Sequence, residues 1–265
     1  MKLYVINLDR SKDRLEFVKK AFNSAGLDFI RVSAVDGKKI PEDEFLRLTK
    51  VRNWSKKLTY TEVGCFLSHL ECLRLIAEGD EPYGAIFEDD IKLSPHASTF
   101  LKDWHWIPEN TDIVKIDTAE IVCVLGRFSK TLSNNYKLAP LISKHYCAGG
   151  YIVSKDCAKY LYETNQQVSA PIDEIYFNPE CGFLQTMNVQ QMMPAIVIQA
   201  GLVSTIRDPK IEIHDKKLKK KNHKPSNRPL WVKIIREIAR FDRRYIYPWR
   251  MKISCGYYWG IVPFK

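Results

Sequence analysis

No two cysteines in this chain are spaced C-x-x-C, and the seven present (Cys65, Cys72, Cys123, Cys147, Cys157, Cys181, Cys255) are scattered and odd in number. That pattern argues against a disulfide framework or a zinc site and fits a reducing cytosol. No run of about 18 apolar residues occurs, so no segment is expected to span a bilayer. The apolar run at the amino terminus, Leu3 to Leu8, is followed at once by Asp9 and Arg10, which predicts a strand rather than a secretory leader. Neither G-x-G-x-x-G nor a Walker loop is present, so a Rossmann dinucleotide site and a P-loop are both unsupported. Negative charge is scarce towards the carboxyl end: Lys210 to Lys252 hold 15 Lys and Arg against 4 Asp and Glu. The rest of the chain carries 26 basic and 27 acidic residues, so a nearly neutral body bears a cationic tail. Such asymmetry points to an anionic surface as partner.

What is present organises itself around Tyr83 to Ile91, an apolar run that ends in Glu88-Asp89-Asp90. The run reads as a buried strand. Three neighbouring carboxylates repel one another, and burying them unpaired costs several kcal/mol each. A divalent cation with hard oxygen ligands, Mg²⁺ or Mn²⁺, is the simplest way to hold them, although an acidic solvated turn has the same spacing. In open α/β sheets ligands gather beyond the carboxyl ends of the strands, where these acids fall.

At 265 residues, 45% apolar and 27% charged, the chain suits one α/β domain with an appended piece, divided here at residues 1–209 and 210–265. Leu3 to Leu8 reads as a strand, and a helix capped by Asp9 or Ser11 carries Leu15, Val18, Phe22 and Ala25 on one face until Gly26. Phe29 to Val35 forms the next strand and turns at Asp36-Gly37, so a right-handed parallel crossover is expected. Asn7, Arg10 and Arg14 in the first loop suit a nucleotide or its phosphates. After a short helix near Pro41 to Lys50, Thr61 is expected to cap a helix from Glu62 to Ala77 that carries Ser68 and His69. A helical His there packs as readily as it binds.

Beyond the acidic strand, Asp112 to Asp117 reads as a strand and Gly126 to Ser143 as a mobile loop. His145 to Val153 reads as a strand whose Gly149-Gly150 step marks a bulge or close approach of backbone to a ligand. Ser154 caps a helix to about Glu163. Asp173 and Glu174 open a further helical segment, where acids also serve as simple dipole caps. Ala195 to Ala200 reads as the last strand.

In the tail, Trp231, Ile234, Ile235, Ile238, Phe241 and Tyr245 share one helical stripe, with Lys233, Arg236, Arg240, Arg243 and Arg244 on other faces. A cationic amphipathic helix of this kind either lies in a membrane interface or packs back on the body. Tyr247, Trp249, Tyr257, Tyr258 and Trp259 favour the interface. No RNA-binding signature or basic groove accompanies them, so nucleic acid is not an expected partner.

Several segments taken together resemble glycosyltransferase family 25, the bacterial lipooligosaccharide galactosyltransferases and their collagen-modifying relatives. They are Val5-Ile6-Asn7-Leu8-Asp9-Arg10-Ser11-Lys12-Asp13-Arg14, Val32 to Gly37, Glu62-Val63-Gly64-Cys65-Phe66-Leu67-Ser68-His69, Ile86 to Asp90, Ala148 to Ser154 and Pro171-Ile172-Asp173. They occur in the family's order across roughly residues 1 to 206. The resemblance implies a GT-A-like fold: a mixed, mostly parallel sheet flanked by helices, here followed by a basic helical tail. It also implies an inverting transfer, usually from UDP-galactose and otherwise from UDP-glucose, onto a lipid-linked oligosaccharide.

Glu88-Asp89-Asp90 is similar to the family's D-x-D motif, which implies Mn²⁺ or Mg²⁺ held by Asp90 with Glu88 or Asp89. His214 is a further candidate ligand. The same resemblance assigns Asn7, Leu8, Arg10, Arg14, Asp36, Ser68, His69, Glu88, Asp89, Gly149 and Gly150 to the donor pocket. The Ala148-Gly149-Gly150 segment departs from relatives that carry a hydroxyl before the glycine. Asp173, with Glu174 as substitute, is the candidate base. The expected location is the cytoplasmic face of a bacterial inner membrane, with the tail on anionic lipid. The rival readings are a metal-dependent phosphoesterase or nuclease and a non-catalytic carbohydrate-binding protein.

Overall fold

A computed structural model describes residues 1–51, 57–201 and 255–265. The chain begins with β1 (Lys2–Asn7), α1 (Lys12–Ser24) and β2 (Ile30–Ser33), followed by α2 (Glu42–Leu48) and α3 (Tyr60–Ala77). Next come β3 (Tyr83–Glu88), β4 (Ile91–Leu93), α4 (Ala97–Leu101), β5 (Ile113–Lys115), β6 (Asp117–Thr118) and β7 (Val122–Leu125). Then follow β8 (Lys130–Thr131), β9 (Lys137–Pro140), β10 (Gly150–Ser154), α5 (Lys155–Thr164) and α6 (Ile172–Phe177). The described chain ends with β11 (Val189–Met193), β12 (Val197–Gln199) and β13 (Tyr258–Ile261).

Among the described residues the main sheet has eight strands in the order β2-β1-β3-β10-β5-β11-β9-β8. It is mixed: β1 pairs in parallel with β2 and β3, and β5 with β11, while β10 and β9 run against their neighbours. All the other strands of the sheet therefore share one direction. A second sheet is ordered β4-β12-β6, and β13 pairs antiparallel with β7.

Strand alternation builds the two layers. Tyr4 and Ile6 of β1, Ile86 of β3, and Tyr151 and Val153 of β10 share a cluster with Phe66 and Leu73 of α3, Leu161 of α5 and Ile175 of α6. Their neighbours in sequence, Leu3, Val5, Ala85, Phe87 and Ile152, join Val18 and Phe22 of α1 and Phe100 of α4. Because both faces are covered, β1 and β3 read as nearly unbroken apolar runs. Burying one Phe or Leu in such a layer contributes about 1.5–3 kcal/mol.

Three expectations are corrected. The cap of α3 is Thr59, not Thr61: the Glu62 amide donates to Thr59 Oγ1 at 3.2 Å and the Thr59 amide donates to Glu62 Oε2 at 2.7 Å. The reciprocal pair is a capping box, and a Thr two residues later could not form it with Glu62. Gly126 to Ser143 is not a loop; it contains β8 and β9, with Tyr136, Leu138 and Ala139 buried. The strand expected over His145 to Val153 begins only at Gly150, because residues before it bend to meet buried polar partners described below.

The carboxyl end of the chain returns to the body. Val262 is buried, its carbonyl accepts from Thr118 Oγ1 at 2.7 Å, and Ala195 donates to the Pro263 carbonyl at 2.8 Å. Tyr258 and Trp259 lie half-buried in β13. The amphipathic stretch Leu230 to Tyr245 and His214 lie outside the described residues.

Candidate functional site

Parallel pairing aligns the carboxyl ends of β2, β1 and β3, with Asn7 opposite Ser33 and Ile6 opposite Glu88. Where these strands stop, a cleft opens with about 160 Å³ of space for solvent. Leu8, Arg10, Arg14, Asp36, Ser68, His69, Glu88, Asp89 and Asp90 all line it. Asn7, Gly149, Gly150, Asp173 and Glu174 do not line it; they stand behind or beside it.

The middle acid is fully engaged. Asp89 Oδ2 accepts from Asn7 Nδ2 at 2.7 Å and Oδ1 from Arg14 Nη1 at 2.9 Å. Asn7 also donates to the Ser11 carbonyl at 3.1 Å and accepts from Arg31 Nε at 3.0 Å, so it fastens the β1 loop to the acidic turn. Asp90 is different. Arg14 Nη1 lies 3.5 Å from its Oδ2, whereas its Oδ1 is buried without a hydrogen-bond partner among the described residues. Burial, and then the Glu88 charge, pushes the Asp90 carboxyl up to about 7.

Across the cleft, Arg10 pairs with Asp36, whose other oxygen accepts from the Lys38 amide and caps the turn Gly37–Lys39. Helix α3 presses against this turn. A Cβ on Gly64 would lie 2.6 Å from the Val35 carbonyl oxygen and 2.7 Å from the Gly37 nitrogen, so only glycine allows the approach. Ser68 Oγ accepts from the Val35 amide at 2.8 Å and donates to the Gly64 carbonyl at 2.6 Å, locking the same contact.

Glu88 forms the inner wall. Its Oε2 accepts from Gln199 Nε2 at 3.1 Å, and its Oε1 lies 3.8 Å from His69 Nε2 and 3.9 Å from Cys65 Sγ. Burial works against its charge, yet the His69 ring, Gln199 and Lys115 outweigh that and hold its pKa below the usual value.

Behind the wall lies a buried ionic core. Fully buried Lys115 pairs with Asp117, donates to the Cys147 carbonyl and sits 4.3 Å from the Phe177 ring centre. Asp117 Oδ2 accepts from the Gly149 amide at 2.9 Å, and the Gly149 carbonyl accepts from the Glu88 amide at 3.2 Å. A Cβ on Gly150 would stand 2.9 Å from Val197 Cγ1. The glycine step therefore admits close packing of β10 on β12 and on Asp117.

Asp173 Oδ2 accepts from the Cys147 amide at 3.2 Å, and burial lifts its carboxyl above the ordinary range. Burial, and then the charges of Glu88 and Asp173, push up the pKa of Cys65, a thiol in the cleft wall. Glu174 is committed elsewhere: it is buried, pairs with Lys144 and accepts from Asn178 Nδ2 at 2.7 Å. Sequence reasoning did not single out Gln199 or the Lys115–Asp117 pair. Cys65 carried one usable signal, its position one helical turn before His69.

A mixed α/β sheet whose parallel strands end on a cleft lined by two arginines and four carboxylates has the arrangement in which open α/β proteins gather their ligands. The profile of glycosyltransferase family 25 (LPS biosynthesis protein) matches residues 1–176, and the chain belongs to this family. It is 29% identical over 173 residues to the lacto-N-neotetraose biosynthesis glycosyltransferase LgtE of Neisseria meningitidis, covering 62% of this chain and 60% of that protein. It is 29% identical over 217 residues to the lipooligosaccharide biosynthesis protein lic2B of Haemophilus influenzae, covering 75% and 76%. It is 25% identical over 262 residues to LgtB of Neisseria gonorrhoeae, named for the same lacto-N-neotetraose biosynthesis, covering 92% of each. Among the described residues no helix is long and apolar enough to cross a membrane.

Proposed function

We propose that this chain is an inverting glycosyltransferase that moves galactose from UDP-galactose onto a saccharide acceptor of lipooligosaccharide or lipopolysaccharide core. UDP-glucose is the second donor to consider. The relatives' names support the substrate class. The observation that carries the reading is the buried Asp90 Oδ1, without a hydrogen-bond partner among the described residues, in a cleft that also presents Arg10 and Glu88. An oxygen so placed suits a hard cation such as Mn²⁺ or Mg²⁺. Asp90 with Glu88 would hold it, because both oxygens of Asp89 are already bonded. Bound there, the ion supplies Lewis-acid stabilisation of the charge on departing UDP.

The residues of the chain do the rest. Arg10 offers charge to the donor phosphates, and Asp36 with Leu8 and Val35 lines the side of the cleft that suits the nucleoside. Asp173 acts as base on the acceptor hydroxyl, and its raised pKa brings it nearer the working pH. Product analysis tests this reading: a β-linked hexose from an α-linked donor is expected, and an α-linked product would overturn inversion. Asp173→Asn should lower kcat by roughly 10²–10⁴-fold while donor affinity stays within about twofold. Equal turnover in that variant removes Asp173 as base.

The basic stretch from Lys210 to Lys252 places the enzyme on anionic lipid, where its acceptor is anchored. Each Lys or Arg near such a surface contributes about 1 kcal/mol. Replacing Lys216, Lys217, Lys219, Lys220 and Lys221 by Gln should release the protein from phosphatidylglycerol vesicles at physiological salt. Unchanged co-sedimentation would discard the membrane role.

A further inference from the structure

We propose that Cys65, His69 and Glu88 form a second cation site, one that takes a thiophilic divalent ion of the zinc type and shares Glu88 with the Asp90 position. Cys65 and His69 are four residues apart on α3, so their side chains project from one face of the helix towards the end of β3. Cys65 Sγ, His69 Nε2 and a Glu88 carboxylate oxygen all lie within 4.8 Å of one another, with Glu88 Oε1 3.9 Å from the sulfur and 3.8 Å from the nitrogen. Zinc–ligand bonds of about 2.0–2.3 Å at tetrahedral angles set ligand atoms roughly 3.3–3.6 Å apart. The three atoms need to close in by only a few tenths of an ångström at the two measured edges.

His69 supplies the independent observation. Its side chain is 0% exposed, and Nε2 has no hydrogen-bond partner among the described residues although it lies within 4.8 Å of the other two ligand atoms. Leaving a buried ring nitrogen unsatisfied costs about 1–3 kcal/mol, which a bound ion would remove. The opposite nitrogen, Nδ1, is 3.0 Å from the Tyr151 hydroxyl. In the ion-bound form Nδ1–H donates to Tyr151, the outer hydrogen bond that ligating histidines usually make, and Nε2, whose proton otherwise faces Glu88, presents its lone pair to the ion.

The three residues line the cleft, so a fourth position stays open to solvent or substrate, as in sites with three protein ligands. The rule that searches for C-x-x-C pairs cannot find a cysteine and a histidine one helical turn apart. Binding displaces the Cys65 thiol proton. Since Glu88 serves both positions, filling this site weakens the hard-cation site. Only that competition rests on the proposed function; the binding itself does not.

The experiment is a titration of the reduced full-length protein with Co²⁺, read by absorption. One equivalent should produce thiolate-to-cobalt charge-transfer bands and the intense visible bands of four-coordinate cobalt, both removed by Zn²⁺. Cys65→Ser should lose the charge-transfer bands. Glu88→Gln should weaken cobalt binding by at least about tenfold. Tyr151→Phe should weaken it roughly 10- to 100-fold and keep the bands. Asp90→Asn should keep both bands and affinity. Absence of the bands in the parent protein, or their persistence in Cys65→Ser, would overturn the site. Loss of the bands in Asp90→Asn would overturn its separateness. A protein that transfers no sugar yet shows the bands and loses them in Cys65→Ser upholds the site while sinking the transferase reading.

Discussion

Asp90→Asn is expected to unfold later than the parent protein in EDTA at pH 8, while losing about 10³-fold in metal-dependent sugar transfer. Both effects come from one carboxylate. Its ordinary pKa of 3.8 is pushed up to about 7 in the fold by burial and then by Glu88. At 1.36 kcal/mol per unit, holding the charge there costs on the order of 4 kcal/mol. An acid whose folded pKa is raised carries this penalty fully above about pH 7. The penalty fades as pH falls towards the unfolded value near 4. Denaturant titrations should therefore show the Asn variant ahead by roughly 2–4 kcal/mol at pH 8 and level with the parent near pH 4. The loss of transfer corresponds to about 4 kcal/mol of transition-state stabilisation, within what a bound cation supplies. Mn²⁺ should stabilise the parent and not the variant. A variant that is less stable at every pH would show that Asp90 is not held against its preference.

Lys115→Met is expected to cost about 3–5 kcal/mol, the usual loss when one member of a buried pair is removed. Lys115 is fully buried and Asp117 nearly so, and the Asp117 carboxyl is already lifted by burial, with Lys115 acting against that lift. Without the ammonium, Asp117 takes up a proton more readily, so the loss should grow as pH rises and shrink in acid. The double change Lys115→Met with Asp117→Leu should recover much of the stability, because no charge is then left alone. It should not recover transfer. Asp117 fixes the Gly149 amide, Gly149 receives the Glu88 amide, and Lys115 holds the Cys147 carbonyl beside Asp173. A double variant that is stable and fully active would show that this core only supports the fold.

The acidic turn was legible because three carboxylates after a buried strand have few cheap explanations, and Arg10 of the first loop and Arg14 of α1 lie within one short motif. The strand-helix-strand opening was legible for the same local reason: its periodicities and Gly26 are all short-range. Lys115 and Asp117 were not, because a charge inside a strand reads as solvent-facing until the layer covering it is known. Gln199 lies more than a hundred residues from the Glu88 it bonds, in a strand with no motif of its own. The pairing of Tyr258 to Ile261 with β7 is equally non-local, so the aromatic content of that stretch did not reveal the strand it forms. Thr59 and Thr61 differ only in which one has Glu62 three residues on, a rule that the sequence did contain.

Metal-assisted transfer at the Asp90 cleft is read out by UDP release. The protein is incubated with a panel of UDP-sugars, in Mn²⁺ or EDTA, with and without a lactose- or glucose-terminated acceptor. Release from UDP-galactose is expected to need Mn²⁺, to rise with acceptor and to vanish in Asp90→Asn. Release that is indifferent to EDTA and to the Asp90 change would show that neither a cation nor Asp90 takes part in the transfer.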